Sequence, residues 1–363
     1  MGTPTKPIAI DVFAGVGGLS LGLHRAGFSV IASFDLDPIN VETYRKNFPK
    51  TVAIKSDVSR LSGSDVRKLS GLGANEQIDI VSGGPPCQGF SLIGKRLLND
   101  PRNQLLIEFA RLISELQPRY FVIENVAGLM IGEARAVLTR ALRVLRVAGY
   151  RWVTPIRILD AKDYGIPQVR KRVIVLGYRK DQGRPSYPRK SYQPVTVRQA
   201  IRDLYAIGRC PSLMRADGFD GKLGPASAYS KKLRNNRNSV LSGCQLCSHH
   251  PDIVQRFKNT PPGSSEPISR FPRLHLQRPA PTLRAGTGKD RGSFTAARPI
   301  HPTQPRCITV REAARLHSFP DWFEFHPTQW HGFRQVGNAV PPSLGSAVAR
   351  RVMRALQGSE ETA

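Results

Sequence analysis

The sequence predicts an α/β fold: an open, mostly parallel sheet with helices on both faces, joined to a smaller, irregular domain. Three observations lead there. Short β-branched apolar runs alternate with segments of helical period through the first half of the chain. Near residue 181 this alternation stops, and Pro, Gly, Ser, Asn and basic residues become dense. Helical period then returns at 309–319 and 343–356, which brings the chain back to its first domain. The expected large domain is therefore discontinuous, covering 1–180 and 304–363, with a basic second domain at 181–303.

The elements follow in order. "IAIDVFA" (8–14) reads as a strand that ends in a glycine-rich turn, and "FSVIASFD" (28–35) as a second that ends in an acid. "IDIVSGG" (78–84) is a third, leading into a loop of two prolines and a cysteine, and "YFVIENV" (120–126) is a fourth. "RWVTPIRILD" (151–160) and "VRKRVIVLGYR" (169–179) read as two more. Between them, Leu105, Leu106, Phe109, Leu112, Ile113 and Leu116 recur at helical spacing until Pro118 stops the run. "RAVLTRALRVLRVAGY" has the same period and ends at Gly149. "GRPSYPRKSYQP" (183–194) reads as a linker, "VTVRQAIRDLYAI" as a short helix, and 205–300 as loops and short strands.

Composition narrows the function classes. The chain has 363 residues, 40% of them hydrophobic, enough for a sizeable core. No apolar run has the length of a membrane span, and "MGTPTKPIAI" lacks a secretory apolar segment. Five cysteines in so long a chain do not form a disulfide framework, so a reducing cytoplasm is the expected compartment. Lys and Arg total 54 against 27 Asp and Glu, a net charge of +27. Such an excess points to a polyanionic partner, most often nucleic acid. Residues 181–303 hold 21 Lys/Arg against 7 Asp/Glu, including the cluster "KKLRNNR" (231–237).

Four segments carry chemistry. In "DVFAGVGGLSLG" (11–22) a strand ends at Phe13, and Gly15, Gly17 and Gly18 make a tight turn before a helix. Backbone amides of such a turn can approach a ligand closely. The next strand ends at Asp35, where an acid can accept hydrogen bonds from ribose hydroxyls, and Asp57 in "IKSDV" can serve an adenine amino group. In "GGPPCQGFS" (83–91) two prolines fix the backbone before Cys87. A cysteine on a rigid loop of this kind suits covalent chemistry. No [DNS]-P-P-[YFW] tetrapeptide, which suits attack on an exocyclic amine, occurs. "VIENV" ends a strand in Glu124, whose apolar setting suits an acid or hydrogen-bond donor. In "QVRKR" an extended strand would put Gln168, Arg170 and Arg172 on one face, where paired arginines can bind a carbonyl, a carboxylate or a phosphate.

Taken together, these segments resemble the bacterial C5-cytosine DNA methyltransferases in order and spacing. "DVFAGVGGLS" resembles their cofactor turn, "GGPPCQGFS" their nucleophile loop, "ENV" their acid and "QVRKR" their paired-arginine motif. "RPAPTL" (278–283), "REAARLHSFPDWF" (311–323) and "QVGNAVPP" (335–342) resemble their C-terminal motifs. The resemblance runs from about residue 8 to 355 and is weakest over 181–275, where that family carries its variable target-recognition region.

The resemblance implies a Rossmann-like S-adenosylmethionine-dependent methyltransferase domain with a target-recognition domain. It implies that Cys87 adds to C6 of a flipped-out cytosine, that Glu124 holds N3 and the exocyclic amine, and that Arg172, with Arg170 behind it, contacts O2 and orients Glu124. It assigns the cofactor to Phe13, Ala14, Gly15, Gly17, Gly18, Leu19, Asp35, Leu36, Asp57, Val58, Pro85 and Asn338. It assigns DNA contacts to Gln88, Ser91, Lys95, Arg96 and Arg102 in a mobile loop, to Lys231, Lys232, Arg234 and Arg237, and to Thr282. The expected partner is double-stranded DNA, with a cognate restriction endonuclease acting separately or none; the chain is expected to be a monomer in the bacterial cytoplasm, at the nucleoid.

Two other readings stand beside this one. A tRNA cytosine methyltransferase of the same fold is usually marked by a Cys-Phe-Thr triplet, which does not occur. A catalytically dead DNA-binding module would be expected to lose Cys87, Glu124 or the arginines. In "CQLCSHH", Cys244, Cys247, His249 and His250 have part of a zinc spacing, but no second pair is in reach, so no metal is expected.

Overall fold

The computed structural model describes residues 6–86, 104–191, 193–234, 240–286 and 298–358. Cys87, Gln88, Ser91, Lys95, Arg96, Arg102 and Arg237 lie outside the described residues.

Eight strands form one mixed sheet among the described residues: β1 (Ile8–Val12), β2 (Ser29–Asp35), β3 (Val52–Lys55), β4 (Ile80–Gly83), β5 (Tyr120–Val126), β6 (Tyr150–Trp152), β7 (Arg157–Asp160) and β8 (Lys171–Arg179). The order is β3-β2-β1-β4-β5-β8-β6, with β7 also paired to β8. The first five strands run parallel, and β8 is antiparallel to β5 and β6. Ala9, Ile10, Asp11 and Val12 are all buried, as are Ile80 to Gly83. Successive strand side chains point to opposite faces, so burial at every position means that both faces are covered.

One face packs on α4 (Leu105–Leu116) and α5 (Gly132–Val147). Ile10, Val12, Phe34, Val81, Phe121 and Ile123 meet Leu106, Phe109, Leu112, Ile113 and Leu138 in a single apolar core. α1 (Gly18–Ala26) follows β1, and α2 (Pro38–Asn47) follows β2 with Asp37 as its N-cap. α3 (Gly63–Ser70) carries a capping box between Ser62 and Asp65. The last helix, α11 (Pro342–Leu356), lies against α1: a Cβ on Gly22 would fall 2.6 Å from the backbone of Gly345 and Ser346. Only two glycines let the helices approach so closely.

The sequence "RWVTPIRILD" is two strands and not the single one expected. Pro155 has no N–H for a ladder, and the chain breaks pairing between Trp152 and Arg157.

By packing, the chain divides into two compact units: 1–159, 171–189 and 344–363 in the first, and 160–170 and 190–343 in the second. Residues 304–343, expected with the first domain, cluster with the second, because their polar side chains close there. The second unit has short helices: α6 (Val197–Ile201), α7 (Ala228–Leu233), α8 (Pro251–Asn259), α9 (Val310–Leu316) and α10 (Gln329–Asn338). Its interior is charged. Arg315, fully buried, lies between Asp203 and Asp321, and Arg306 binds Glu312 through two nitrogens at 2.9 and 2.8 Å. The buried His301 faces the same Glu312 at 3.4 Å.

Candidate functional site

Strand register delivers the site residues to one edge of the sheet. Val12 pairs with Gly83, and Gly83 with Ile123. The next residues are Phe13, Gly84 and Glu124: β1 and β4 end here and β5 runs on only to Val126, so all three lie at the carboxyl edge, where open α/β sheets bind ligands.

The turn after β1 is held in a conformation that most residues avoid. Phe13, Gly15 and Gly17 have φ of 57°, 55° and 90°. Phe13 is fixed by an edge-to-face contact with Phe109, centroids 5.8 Å apart. A Cβ on Gly17 would collide with Phe48 and lie 2.7 Å from Tyr44, whereas one on Gly15 would meet nothing within 4 Å. Gly17 is thus wedged against α2, and Gly15 presents an open face. The Asp35 carboxylate tethers the turn: Oδ2 accepts from the Gly15 N–H at 2.8 Å, and Oδ1 from the Asp37 N–H at 2.9 Å and from Asn40. Burial raises the Asp35 carboxyl above its ordinary range. Beside it Leu36 is 64% exposed, a bare apolar surface next to an acid. Asp57 caps a short turn over Val58–Arg60, and its Oδ1 accepts from the Ser59 hydroxyl and N–H; that hydroxyl holds the carboxyl below its usual range. Val58, Gly18 and Leu19 are buried, and Ala14 is half-buried.

Glu124 and Arg172 form the second cluster. Arg172 Nε lies 2.8 Å from Glu124 Oε1, with both side chains nearly buried. The antiparallel β5–β8 register, Val126 opposite Arg172 and Glu124 opposite Ile174, brings them together. Gly84 sits against the other carboxylate oxygen: a Cβ there would lie 3.0 Å from Glu124 Oε2. Asn125 donates from Nδ2 to the carbonyl of the buried Pro85 at 3.0 Å. The sequence reading missed Asn125 as a site residue; a buried amide inside an apolar strand was the available signal. It missed Asp11 too, 1% exposed in mid-strand.

The paired-arginine reading needs correction in its geometry. β8 begins at Lys171, so Arg170 precedes the strand, and its guanidinium has partners other than the Glu124 that binds Arg172. Arg170 is 1% exposed and belongs to the second unit, where its guanidinium donates to the carbonyls of Leu283, Gly337 and Ala339 at 3.0, 2.8 and 2.9 Å. It knits three backbone segments and offers no open face to a ligand. Gln168 does similar work, with its amide on the Leu316 carbonyl and the His317 ring.

Other expected residues of the second unit are scattered. Lys231 and Lys232 are exposed at the end of α7. Arg234 is turned inward: its Nε and Nη2 donate to the buried Asp203 at 2.9 and 2.7 Å. It belongs to the charged framework around Arg315 and not to a free basic surface. Thr282 is exposed, and its hydroxyl donates to the Val169 carbonyl at 2.7 Å. Asn338 is exposed at the end of α10.

The cysteine–histidine segment is spread among separate partners. Cys244 is buried, which pushes its thiol pKa up. Cys247 meets Gln329 and Arg298, His249 accepts from the Cys307 N–H, and His250 caps α8.

Comparison with known proteins identifies the family. The profile of the C-5 cytosine-specific DNA methylases matches residues 8–354. The chain is 47% identical to the Type II methyltransferase M.XorII of Xanthomonas oryzae pv. oryzae, over 98% of this chain and 87% of that one. It is 35% identical to M1.HphI of Haemophilus parahaemolyticus, over 95% and 86%. A prophage-encoded chain from Escherichia coli, described as a DNA modification methyltransferase, superposes with a TM-score of 0.81 at 34% identity, over 97% of this chain and 99% of that one. The Dnmt2 methyltransferase of Schizosaccharomyces pombe shares the fold, with a TM-score of 0.62 at 18% identity over 97% and 100%. This α/β chain belongs to the C-5 cytosine-specific DNA methylase family, the enzymes that methylate cytosine C5 in DNA.

Proposed function

We propose that this enzyme methylates one cytosine of a short recognition sequence in double-stranded DNA, with S-adenosylmethionine as methyl donor and Cys87 as covalent nucleophile. The observation that carries the reading is the Glu124–Arg172 pair, near the carboxyl end of β5 and at the start of β8, beside Gly84 at the entrance to the Cys87 loop. Cytosine C5 is a poor nucleophile within its aromatic ring. Addition of the Cys87 thiolate to C6 makes C5 electron-rich. Glu124 binds N3 and the exocyclic amine, and Arg172 fixes Glu124 through Oε1. C5 would then take the methyl group as the donor's sulfonium sulfur leaves with the C–S electron pair as a neutral thioether, and loss of the C5 proton to a base would expel Cys87 as thiolate. Because C6 is inaccessible within a duplex, the cytosine is flipped out.

The residues of the first turn fit the donor. Gly15 has an open face, Leu36 gives an exposed apolar platform for a purine, and the carboxylates of Asp35 and Asp57 suit ribose and adenine hydrogen bonds. When bound, S-adenosylmethionine supplies an electrophilic methyl group. Phe13, Ala14, Gly15, Gly17, Gly18, Leu19, Val58 and Pro85 line its place. Arg170 supports this chemistry by fixing backbone and not by touching the base.

The basic second unit reads the DNA. Lys231, Lys232 and Thr282 meet phosphates there, and Lys95, Arg96 and Arg102 meet them as the Cys87 loop closes with Gln88 and Ser91 against the target. The enzyme acts as a monomer in the bacterial cytoplasm, alone or beside a separate restriction endonuclease. No helix of the described residues is long and apolar enough to cross a membrane.

Conversion-based methylation sequencing of DNA from a methylation-free host expressing this chain tests the reading. Cytosines protected within one short recurring sequence support it and give the site. Unprotected DNA from a host with folded, cofactor-binding protein overturns it.

A further inference from the structure

The proposed reaction leaves Asp11, the most deeply buried carboxyl among the described residues of the first unit, without a part. Asp11 lies in β1, in register with Ser33 of β2 and Ser82 of β4. Paired residues of parallel strands face the same side, so the three form a row across the sheet. Ser20 of α1 and Tyr44 of α2 cover that row; Asp11, Ser20, Ser33, Tyr44 and Ser82 are all at most 2% exposed.

The Asp11 carboxylate divides its two oxygens between two elements. Ser82 Oγ donates to Oδ1 at 2.8 Å, and Ser20 Oγ donates to Oδ2. Each serine leads to a different part of the site. Ser20 is in the first turn of α1, directly after the Gly15–Gly18 turn. Ser82 is followed by Gly83, Gly84, Pro85 and Pro86, the entrance to the Cys87 loop. The far side of that entrance is held by Asn125 on the Pro85 carbonyl. β1 thus has a charge-bearing side chain where its neighbours Ile10 and Val12 are apolar. Burial without a cation partner disfavours the ionised form, which pushes the carboxyl up to about 6. An alanine or valine would pack there without that cost.

We infer that Asp11 is a positioning residue: by binding Ser20 and Ser82 at once, it couples the cofactor turn to the entrance of the nucleophile loop. It touches neither ligand nor base. Its effect on each side passes through a serine. The inference rests on the cofactor and nucleophile assignments above.

Coupling of this kind has a thermodynamic signature. The dissociation constant of S-adenosylmethionine is measured by calorimetry on the intact protein for the wild type, Ser20→Ala, Ser82→Ala, the double variant and Asp11→Asn. Thermal melting of each variant and its methyl-transfer rate at saturating cofactor are measured in parallel. Ser82→Ala, although on β4, is expected to weaken cofactor binding by about fivefold or more. Ser20→Ala is expected to lower the rate at saturating cofactor as well as the affinity. The double variant should be little worse than either single change, since each breaks the same bridge, and Asp11→Asn should resemble it. The inference is overturned if Ser82→Ala leaves cofactor affinity unchanged while melting normally, or if the two serine effects simply multiply. A well-folded wild type that binds no S-adenosylmethionine overturns the cofactor reading itself, before any variant is compared.

Discussion

Arg172 Nε stands 2.8 Å from Glu124 Oε1, and the antiparallel pairing of β5 and β8 sets that distance. The guanidinium fixes one oxygen of the carboxylate, and the other lies toward Gly84. Glu124→Gln keeps the shape and removes the charge. It is expected to lower kcat by about 10²–10⁴-fold while S-adenosylmethionine affinity stays near wild type, as single-turnover kinetics and calorimetry would show. Arg172→Lys replaces a planar donor with a point charge and is expected to cost kcat too.

Arg170 and Arg172 should separate cleanly. Arg170→Met removes donors from three buried carbonyls, so its main loss is expected in stability, by about 2–4 kcal/mol, measured as a denaturation midpoint. Arg172→Met should lower turnover with a smaller change in that midpoint. Equal stability losses in the two variants would contradict the structural division.

Gly15 and Gly17 give a second contrast. Both have positive φ, but only Gly17 has Phe48 and Tyr44 where a Cβ would stand. Gly15→Ala is expected to cost about 1 kcal/mol of stability, from backbone conformation alone. Gly17→Ala adds overpacking and should cost about 2–4 kcal/mol in total. Melting curves of the two variants check the difference.

Acid should act on the two units with opposite sign. The Asp11 carboxyl, folded at about 6, binds a proton more readily in the folded state than in the unfolded one, so its contribution falls as pH rises from about 4 to about 6. Asp35 and the Tyr44 phenol are its titratable neighbours. Asp11→Asn should remove that slope. In the second unit, Glu312 is held down to about 2 against the desolvation of burial, by Arg306 and then His301. Its stability is present above the ordinary carboxylate range and is lost as pH falls toward 2. His301, pushed down to about 4 by burial, stays neutral in the fold while the unfolded ring takes a proton from about 6.5 downward, so it also costs stability on acidification. Stability measured against pH for wild type, Asp11→Asn and His301→Gln resolves these terms.

Lys231 and Lys232 remain exposed, whereas Arg234 is bound to Asp203. Changing both lysines to alanine should weaken DNA binding and reduce its logarithmic salt slope by about 2. Arg234→Ala should mainly lower stability. A salt slope unchanged by the lysine pair would take α7 out of the interface.

Much of this was legible in the sequence. β1, β2, β4 and β5 are continuous apolar runs because their sheet is buried on both faces, and α4 and α5 show the helical period because only one of their faces is. The site residues of these strands stand at their ends, where pattern changes to punctuation, so Glu124, Asp35 and the glycine turn could be read. Arg170 could not. Strict alternation puts it with Arg172, but the carbonyls that bury it, of Leu283, Gly337 and Ala339, are 113, 167 and 169 residues away in sequence. Arg234 looked like part of a basic cluster because its partner, Asp203, is 31 residues away in sequence. The second unit is held by charge pairs between distant segments, which leave no periodic trace.

The contact between Gly22 and Gly345 also sets a clock. α1, which follows the glycine turn, has no cover for that flank until α11 has been made, roughly 320 residues later. At about 5–20 residues per second the ribosome needs tens of seconds to cross that interval. The first unit therefore closes only after the second, which lies between its parts in the chain, has been made.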